Sequence, residues 1–241
     1  MSERSDDLQR NGLRLIQETE LFRFGMDSVL LTGYAAPGIR RGAAVLDLGC
    51  GNGVLPVLLS AKTEETCFTG IEIQEEAAGL ARRSVSLNGL GDRIKIITGD
   101  FRHIGDYVTG SSQDAVISNP PYVKAGSGRD YKSMSVRISR SEETCVFEDV
   151  AVAAAYALKR RGRFFLIHRT IRLAEIIKTL LEHDLTPREM RFVQPDVSGL
   201  SKLFLLTAVK GGGMEMKVLP PLVINGPDGE YTPEVRGLYG I

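Results

Sequence analysis

Three glycines follow an acidic residue in the run Asp47-Leu-Gly49-Cys-Gly51-Asn-Gly53, between a short apolar stretch and a helical pattern. Glycines lack a Cβ atom, so a ligand can lie against their backbone, and the start of a helix offers unpaired amides. The D-x-G-x-G-x-G spacing differs from the dinucleotide fingerprint G-x-G-x-x-G. By itself the run is a weak signal for a ligand bound at the end of a strand.

Acidic residues end the next two predicted strands. Glu72 comes about 20 residues after the glycine run, where a carboxylate can accept hydrogen bonds from both hydroxyls of a ribose. Gly99-Asp100-Phe101 ends the following strand in the same way. A solvated acid at a strand end is the alternative for Glu72 taken alone. Together the strand ends predict a nucleoside pocket along the carboxyl edge of a parallel sheet.

The tetrapeptide Asn119-Pro120-Pro121-Tyr122 ends the fourth predicted strand. Two prolines remove N–H donors, so the turn presents carbonyl oxygens beside the Asn119 acceptor, and Tyr122 adds a flat face. Such a site suits the NH₂ of a planar amide or of an amino-purine. The same residues could form only a rigid turn, but their position at the edge of the nucleoside pocket favours a catalytic role.

A parallel sheet covered by helices is predicted from residue 43 onward, because short β-like runs alternate with helical stretches. The predicted strands are Ala43 to Leu48, Cys67 to Ile73, Arg93 to Ile97, Asp114 to Ser118, Arg163 to His168, and a closing pair at Arg191 to Gln194 and Lys202 to Val209. The predicted helices are Val54 to Ala61, Glu75 to Asn88, Phe147 to Arg160 and Ile171 to His183. We divide the chain into an N-terminal segment (residues 1–42), one domain (43–210) and a tail (211–241) that folds over the sheet or the substrate.

Length and composition are those of an ordinary globular protein: 241 residues, 30 Lys plus Arg, 30 Asp plus Glu, and 43% hydrophobic residues. The longest apolar run, Ala151 to Leu158, is far short of the roughly 20 residues that cross a bilayer, and the first residues lack a signal peptide's apolar stretch. We expect a soluble cytoplasmic protein. A formal net charge of zero argues against non-specific coating of nucleic acid but leaves room for a local basic face.

Cysteine and histidine positions do not indicate a metal site. The three cysteines are widely spaced without a C-x-x-C pair, and the three histidines have no partner at metal or triad spacing. These residues are Cys50, Cys67, Cys145, His103, His168 and His183. We expect buried structural thiols, structural histidines and no metal cofactor.

The motifs together resemble those of class I S-adenosylmethionine-dependent methyltransferases: Asp47 to Gly53, Glu72, Asp100 and Asn119 to Tyr122. The N-P-P-Y motif is typical of enzymes in this superfamily that methylate amino groups. The resemblance covers about residues 40 to 210. It implies a Rossmann-like α/β fold with a seven-stranded, mostly parallel sheet and a closing antiparallel strand. It also implies S-adenosylmethionine as cofactor, S-adenosylhomocysteine as product, and no metal.

Sequence on both flanks narrows the resemblance. Phe24 to Leu31, Pro220 to Val223 and Tyr231 to Val235 are similar to segments of the bacterial family that N6-methylates an adenine beside the anticodon of valine tRNA. That family often has Arg-His-Glu after N-P-P-Y, where this sequence reads Arg140-Ser141-Glu142. The resemblance implies an RNA substrate, with tRNA as the leading candidate. It implies neither association with a membrane nor an obligate protein partner.

Site residues follow from the resemblance position by position. Asp47 and the first two loop glycines would pack around the methionine part of the cofactor, Glu72 would hold the ribose, and Asp100 with Phe101 would lie beside the adenine. The implied cofactor residues are Gly25, Asp27, Asp47, Gly49, Gly51, Glu72, Asp100, Phe101 and Asn119. The residues implied for the target amine are Asn119, Pro120 and Tyr122.

Basic residues in the Gly- and Ser-rich loop after N-P-P-Y could meet RNA phosphates at the mouth of the pocket. They are Lys124, Arg129, Lys132, Arg137 and Arg140. The cluster Lys159 to Arg163, at a predicted helix-to-strand turn on the opposite edge, is interpreted as a solvated helix cap and not assigned to RNA.

Three alternative functions remain open from the sequence. The same acceptors would suit the side-chain amide of a glutamine in a protein such as a release factor. Enzymes of that kind usually carry a larger helical N-terminal domain, whereas about 40 residues precede the first predicted strand here. DNA adenine methylation and a cofactor-binding scaffold without catalysis are the other two.

Overall fold

The computed structural model of the chain describes residues 3–9, 11–18, 25–120 and 146–241. Its strands are β1 (Glu3–Asp7), β2 (Arg14–Glu18), β3 (Ala44–Leu48), β4 (Cys67–Glu72), β5 (Ile94–Thr98), β6 (Gln113–Ser118), β7 (Leu158–Arg169), β8 (Leu185–Gln194), β9 (Leu203–Lys210) and β10 (Lys217–Val223). Its α-helices are α1 (Met26–Ala35), α2 (Val54–Ser60), α3 (Glu75–Leu87), α4 (Phe147–Ala157), α5 (Leu173–Glu182) and α6 (Pro233–Tyr239). None of the described helices combines the length and apolar character needed to span a membrane.

The central sheet has eight strands in the order β10-β8-β9-β7-β6-β3-β4-β5. Its neighbouring strands are parallel except at β9, which is antiparallel to both β7 and β8. This confirms the predicted Rossmann-like, mostly parallel sheet with a closing antiparallel strand. The eighth strand, β10, comes from the predicted tail, so the expectation of seven strands was one short. Two prolines interrupt its apolar pattern, which is tolerated because β10 lies at the sheet edge.

The basic cluster Lys159 to Arg163 lies within β7 and not at a helix-to-strand turn. Helix α4 already ends at Ala157, and the register of β7 against β6 shifts between Gln113 and Ala115. This irregularity leaves the cluster without the regular alternation by which a strand is recognised in sequence. Lys159 Nζ donates a hydrogen bond to Asp114 Oδ1 at 3.0 Å, at the end of the sheet opposite the glycine loop.

Strand β8 is also longer than predicted, beginning at Leu185 and not at Arg191. Pro187 and the charged residues after it hide the strand in the sequence, and the pairing with β9 shifts register between Pro187 and Glu189. The remaining predicted elements differ from the observed ones by one or two residues at most ends, as helix and strand boundaries commonly do.

Two apolar layers cover the two faces of the sheet. Alternation along β3 places Val45 in the layer formed with α1 and α2, and Leu46 in the layer formed with α4 and α5. Strand β7 divides Phe164 and Phe165 between the layers in the same way. Because both faces are buried, the central strands read as near-continuous apolar runs, and their polar ends are fixed at one edge.

The two flanks of the sheet are tied to it by specific contacts. In the β1–β2 hairpin, Ile16 N donates to Ser84 Oγ of α3 at 3.0 Å. At the other end of the chain, Arg191 of β8 donates two hydrogen bonds to the Glu234 carboxylate of α6, at 2.5 and 2.8 Å. The predicted division of the chain at residues 42/43 and 210/211 stays a prediction.

The thiols differ in their surroundings. Cys50 is buried in the glycine loop, as expected, whereas Cys67 is exposed. The expectation of a buried thiol was wrong for Cys67 because it is the first residue of β4, where burial begins only at the next residue. Cys145 lies outside the described residues.

Candidate active site

The loop after β3 (residues 49–53) is fixed against β4. Gly49 and Gly51 have φ angles of 73° and 54°, in the left-handed region that disfavours residues with a Cβ atom. The amides of Gly49 and Cys50 both donate to the Ile71 carbonyl, at 2.9 and 3.0 Å. A Cβ atom on Gly51 would have no neighbouring atom within 4 Å. The loop is therefore held in place by β4, and there is open space beside Gly51.

Glu72, the last residue of β4, is bonded directly to this loop. Its Oε2 accepts from Gly51 N and its Oε1 from Gln74 N, both at 2.9 Å. Burial raises the pKa of Glu72, and the backbone amides partly oppose the rise. The backbone amides of Gln74, Gly51 and Ile73 and the Gln74 side chain all lower the pKa of Glu72 as hydrogen-bond donors. The contact of Glu72 with the ribose stays a prediction.

Asp47 is a buried carboxylate whose two oxygens accept no hydrogen bond within the described part of the chain. Burial, and then the charge of Glu72, hold the pKa of Asp47 well above its usual value. The Asn52 amide nitrogen is likewise buried without a partner among the described residues. Sequence reasoning passed over Asn52, although its place inside the glycine run was a signal. Because buried polar atoms without partners are rare, these groups indicate a position for a polar or cationic ligand.

S-adenosylmethionine fits this set of groups. Its ammonium and sulfonium carry positive charge, which suits the buried Asp47 carboxylate, and its ribose offers two hydroxyls to Glu72. The open backbone at Gly51 leaves room for a ligand to lie against the loop. The individual assignments of these residues to parts of the cofactor stay predictions.

Phe101 and Asp100 occupy the predicted adenine side of the site. A Cβ atom on Gly49 would lie 3.9 Å from Phe101 Cε1, so the aromatic ring borders the glycine loop. Asp100 Oδ1 accepts from Arg102 N at 3.0 Å, and Oδ2 accepts from Arg102 Nε at 2.8 Å. These hydrogen bonds lower the pKa of Asp100. Arg102 is a partner that the sequence pattern did not predict.

Strand β6 ends beside the glycine loop. The Ser118 hydroxyl donates to the Leu48 carbonyl at 2.9 Å, so the residues that precede Asn119 and Gly49 are directly bonded. Asn119 is half-buried and Pro120 is buried. The first two residues of N-P-P-Y therefore lie at the same edge of the sheet as the loop.

Other predicted site residues are placed elsewhere or not described. Gly25 precedes α1, and Asp27 lies in its first turn, near Tyr239 of α6. Burial raises the pKa of Tyr239 to about 12, with the charge of Asp27 among the smaller causes. The contact of Gly25 and Asp27 with the cofactor stays a prediction. The predicted residues outside the described part of the chain are Tyr122, Lys124, Arg129, Lys132, Arg137 and Arg140.

The histidines lie apart from one another. His168 is fully buried beside Phe147, and its Nδ1 accepts from Arg169 N at 2.8 Å. Burial lowers the pKa of His168 to about 3, so the imidazole is neutral at physiological pH. His183 Nε2 lies 3.4 Å from Oε1 of Glu148, which is in α4. Of these two histidines, His168 is a packing residue.

The raised pKa of Asp47 predicts a pH-dependent stability. An acid with a raised folded-state pKa leaves the folded state holding more protons than the unfolded chain, so stability falls as pH rises above the unfolded value of about 4. Asp47→Asn removes this titration. We expect the free energy of unfolding of the variant, relative to wild type, to increase between pH 5 and pH 8 in urea titrations. The matched variant Asp92→Asn, at an exposed aspartate, should show no such trend. A difference for Asp47→Asn that does not depend on pH would contradict the raised pKa of Asp47 in the folded state.

Known proteins resemble this chain in sequence and in fold. The tRNA1(Val) (adenine(37)-N6)-methyltransferase of Bacteroides thetaiotaomicron is 27% identical over 187 residues, which cover 77% of this chain and 76% of that protein. The protein of the same name from Pedobacter heparinus is 31% identical over 147 residues, 60% of this chain and 59% of that protein. A solved structure described as a predicted O-methyltransferase from Agrobacterium tumefaciens has a TM-score of 0.72 and 25% identity, over 88% of this chain and 95% of that one.

The family model of the methyltransferase small domain matches residues 28–189. This range begins in α1 and ends in β8, and it includes both the glycine loop and the N-P-P-Y motif. As its motifs predict, the chain belongs to the methyltransferase small domain family and is an S-adenosylmethionine-dependent methyltransferase.

Proposed function

We propose that this enzyme methylates the N6 amine of an adenine in RNA, and that the RNA is a tRNA. The observation that supports the proposal is the Ser118–Leu48 hydrogen bond, because Ser118 and Leu48 directly precede Asn119 and the loop that is proposed to bind the cofactor. The names of the relatives from Bacteroides and Pedobacter support adenine in tRNA as the target. A tRNA substrate also agrees with the predicted cytoplasmic location.

The proposed role of Asn119 and Pro120 is to make the amine a better nucleophile. The lone pair of an adenine amino nitrogen is delocalised into the ring. Acceptance of its two N–H groups by the Asn119 side-chain oxygen and the Pro120 carbonyl favours a more tetrahedral nitrogen and stabilises the positive charge that develops on it.

S-adenosylmethionine supplies a methyl group that is already electrophilic through its bond to a positive sulfur. As the N–C bond forms, the C–S bond breaks and its electron pair stays on the sulfur; one proton of the amine then passes to solvent. The chain's contribution is to hold the nitrogen in line and close to the methyl carbon. Tyr122 is proposed to stack on the splayed-out base.

Methyl transfer from radiolabelled S-adenosylmethionine to separate pools of unmodified tRNA, ribosomal RNA, DNA and protein tests the proposal. We expect label in tRNA, recovered as N6-methyladenosine after nucleoside digestion. Label in protein alone would assign the Asn119 chemistry to a glutamine amide. Label in DNA alone would show that the target adenine is in DNA and not in RNA. No label in any pool, with tight cofactor binding, would support a scaffold without catalysis.

A further inference from the structure

Large apolar side chains are exposed together on one rim of the sheet. Among the described residues four such side chains are at least 75% exposed: Ile171 and Leu200 at 85%, Val197 and Met214 at 75%. All but Met214 lie in two neighbouring connections: a 3-10 turn at residues 170–172 between β7 and α5, and a loop at residues 195–202 between β8 and β9. We call these two connections the β9 rim. An exposed apolar group of this kind marks an interaction site more often than single scattered residues do.

The β9 rim has a fixed backbone. Thr170 donates to the other loop twice, from N to the Lys202 carbonyl at 3.0 Å and from Oγ1 to the Ser201 carbonyl at 2.8 Å. Within the second loop, Asp196 Oδ1 accepts from Ser198 N and Oγ at 2.9 and 2.8 Å. The apolar side chains are therefore presented on ordered loops, which lowers the entropic cost of binding a partner.

The β9 rim lies at the edge of the sheet that carries the proposed active site. Strand β7 is parallel to β6, with Leu166 opposite Ser118, and Thr170 follows Leu166 by four residues. With a rise of about 3.3 Å per residue and about 4.8 Å between strands, Thr170 lies about 14 Å from Ser118. A few nucleotides of single-stranded RNA cross such a distance. The strand next to an adenine held at Asn119 would therefore reach the rim.

The β9 rim carries three charged residues, Arg172, Asp196 and Lys202, and the Asp196 carboxylate accepts hydrogen bonds from Ser198. A nucleic acid is favoured as the occupant because the rim lies at the edge of the proposed active site and offers Lys202 to a phosphate. Lys202 is exposed, and its ammonium forms no ion pair within the described part of the chain. Arg172, in contrast, is occupied by Glu175, with Nη2 and Oε1 2.6 Å apart. A phosphate can thus meet Lys202 while the faces of unstacked bases meet the aliphatic side chains.

We propose that the β9 rim is part of the RNA-binding surface: Ile171 and Leu200 pack against unstacked bases near the target adenine, and Lys202 binds a phosphate. This inference rests on the proposed function, because it takes the RNA bound at Asn119 as the occupant. Aliphatic side chains are used in this way where proteins hold nucleic acid bases apart. The rim would hold the loop of the RNA open beside the site.

The test uses the double variant Ile171→Ser with Leu200→Ser, and separately Lys202→Ala. The matched control is Met214→Ser, which is also highly exposed but lies in the connection after β9, at the opposite edge of the sheet. The probes are the unmodified tRNA pool and a fluorescent RNA stem-loop with an adenine in its loop. We expect the double variant to raise the KM for tRNA and the Kd for the stem-loop about tenfold. The affinity for S-adenosylmethionine and the turnover number should not change.

The salt dependence of the Kd for the stem-loop distinguishes the contribution of Lys202 from that of the apolar side chains. Lys202→Ala should lower the slope of log Kd against log salt concentration by about one, because one phosphate contact is lost. The double variant and Met214→Ser should keep the wild-type slope. A Lys202→Ala variant with the wild-type slope and affinity would remove the phosphate contact from the proposal.

The outcomes distinguish the rim from the function. A double variant with the same KM and Kd as Met214→Ser would contradict RNA binding by the β9 rim and leave the proposed function intact. If the wild-type enzyme methylates no RNA but binds the stem-loop more tightly than the double variant does, RNA binding by the β9 rim is supported and the proposed RNA methylation is contradicted. If the double variant instead changes a dimer into a monomer, with RNA affinity unchanged, a second copy of the chain covers the rim and the inference fails.

Discussion

Replacing Asn119 with alanine is expected to lower the turnover number by about 10²-fold or more, as the loss of one preorganised polar contact does in other enzymes. The side-chain oxygen is the proposed acceptor for one N–H of the target amine. Residue 119 lies next to the glycine loop, since Ser118 Oγ donates a hydrogen bond to the Leu48 carbonyl at 2.9 Å. Turnover should be measured at saturating RNA and S-adenosylmethionine, so that a change in binding does not contribute.

The binding of S-adenosylmethionine by Asn119→Ala should survive, because Glu72 and the glycine loop are unchanged. Asn119→Gln is the informative companion variant: it keeps the acceptor but moves it by one methylene, and we expect a loss of turnover between those of wild type and alanine. Unchanged turnover in Asn119→Ala would remove this residue from the mechanism. Equal losses of turnover and of cofactor affinity would assign it to cofactor binding instead.

The strands that position this site were predictable because their pattern is local. Strand β3 was expected at Ala43 to Leu48 and lies at Ala44–Leu48; β6 was expected at Asp114 to Ser118 and lies at Gln113–Ser118. Both are buried on two faces, so they read as apolar runs, and a glycine or a proline follows each within two residues. The polar residues at their ends were therefore predicted at the same edge.

Features that depend on distant partners were not predictable in this way. Strand β10 is a strand because β8 offers it an edge, and its own two prolines argue locally against the assignment. The occupation of Asp100 by Arg102 and the buried oxygens of Asp47 depend on side-chain placement, which no spacing specifies. The exposure of Ile171 and Leu200 could not be predicted either, because apolar residues are expected in the protein core.

The second large effect is expected for Glu72→Gln, which should weaken S-adenosylmethionine binding about 10²-fold. The carboxylate accepts from Gly51 N and Gln74 N, both at 2.9 Å, and is proposed to accept from the ribose as well. A glutamine has one acceptor oxygen, so its NH₂ would face one of these two amides. Two hydrogen bonds to a charged group, at about 1.5 kcal/mol each, account for a change of this size. Calorimetric titration measures it directly.

The control for Glu72→Gln is Glu76→Gln, an exposed glutamate in the first turn of α3, whose substitution should leave the affinity unchanged. Both variants need a thermal melt, because Glu72 also connects the glycine loop to β4. A Glu72→Gln variant with wild-type affinity would remove Glu72 from the cofactor site.

A second ligand separates the roles of the two buried acids. Adenosine has the ribose and adenine of the cofactor but lacks its methionine part. If Glu72 holds the ribose, Glu72→Gln should weaken adenosine and S-adenosylmethionine by the same factor. If Asp47 meets the positive methionine part, Asp47→Asn should weaken S-adenosylmethionine and leave adenosine nearly unchanged. Because the charge of Glu72 contributes to the raised pKa of Asp47, both titrations belong at one pH. Equal losses for both ligands in both variants would show that the acids hold the loop and not separate parts of the cofactor.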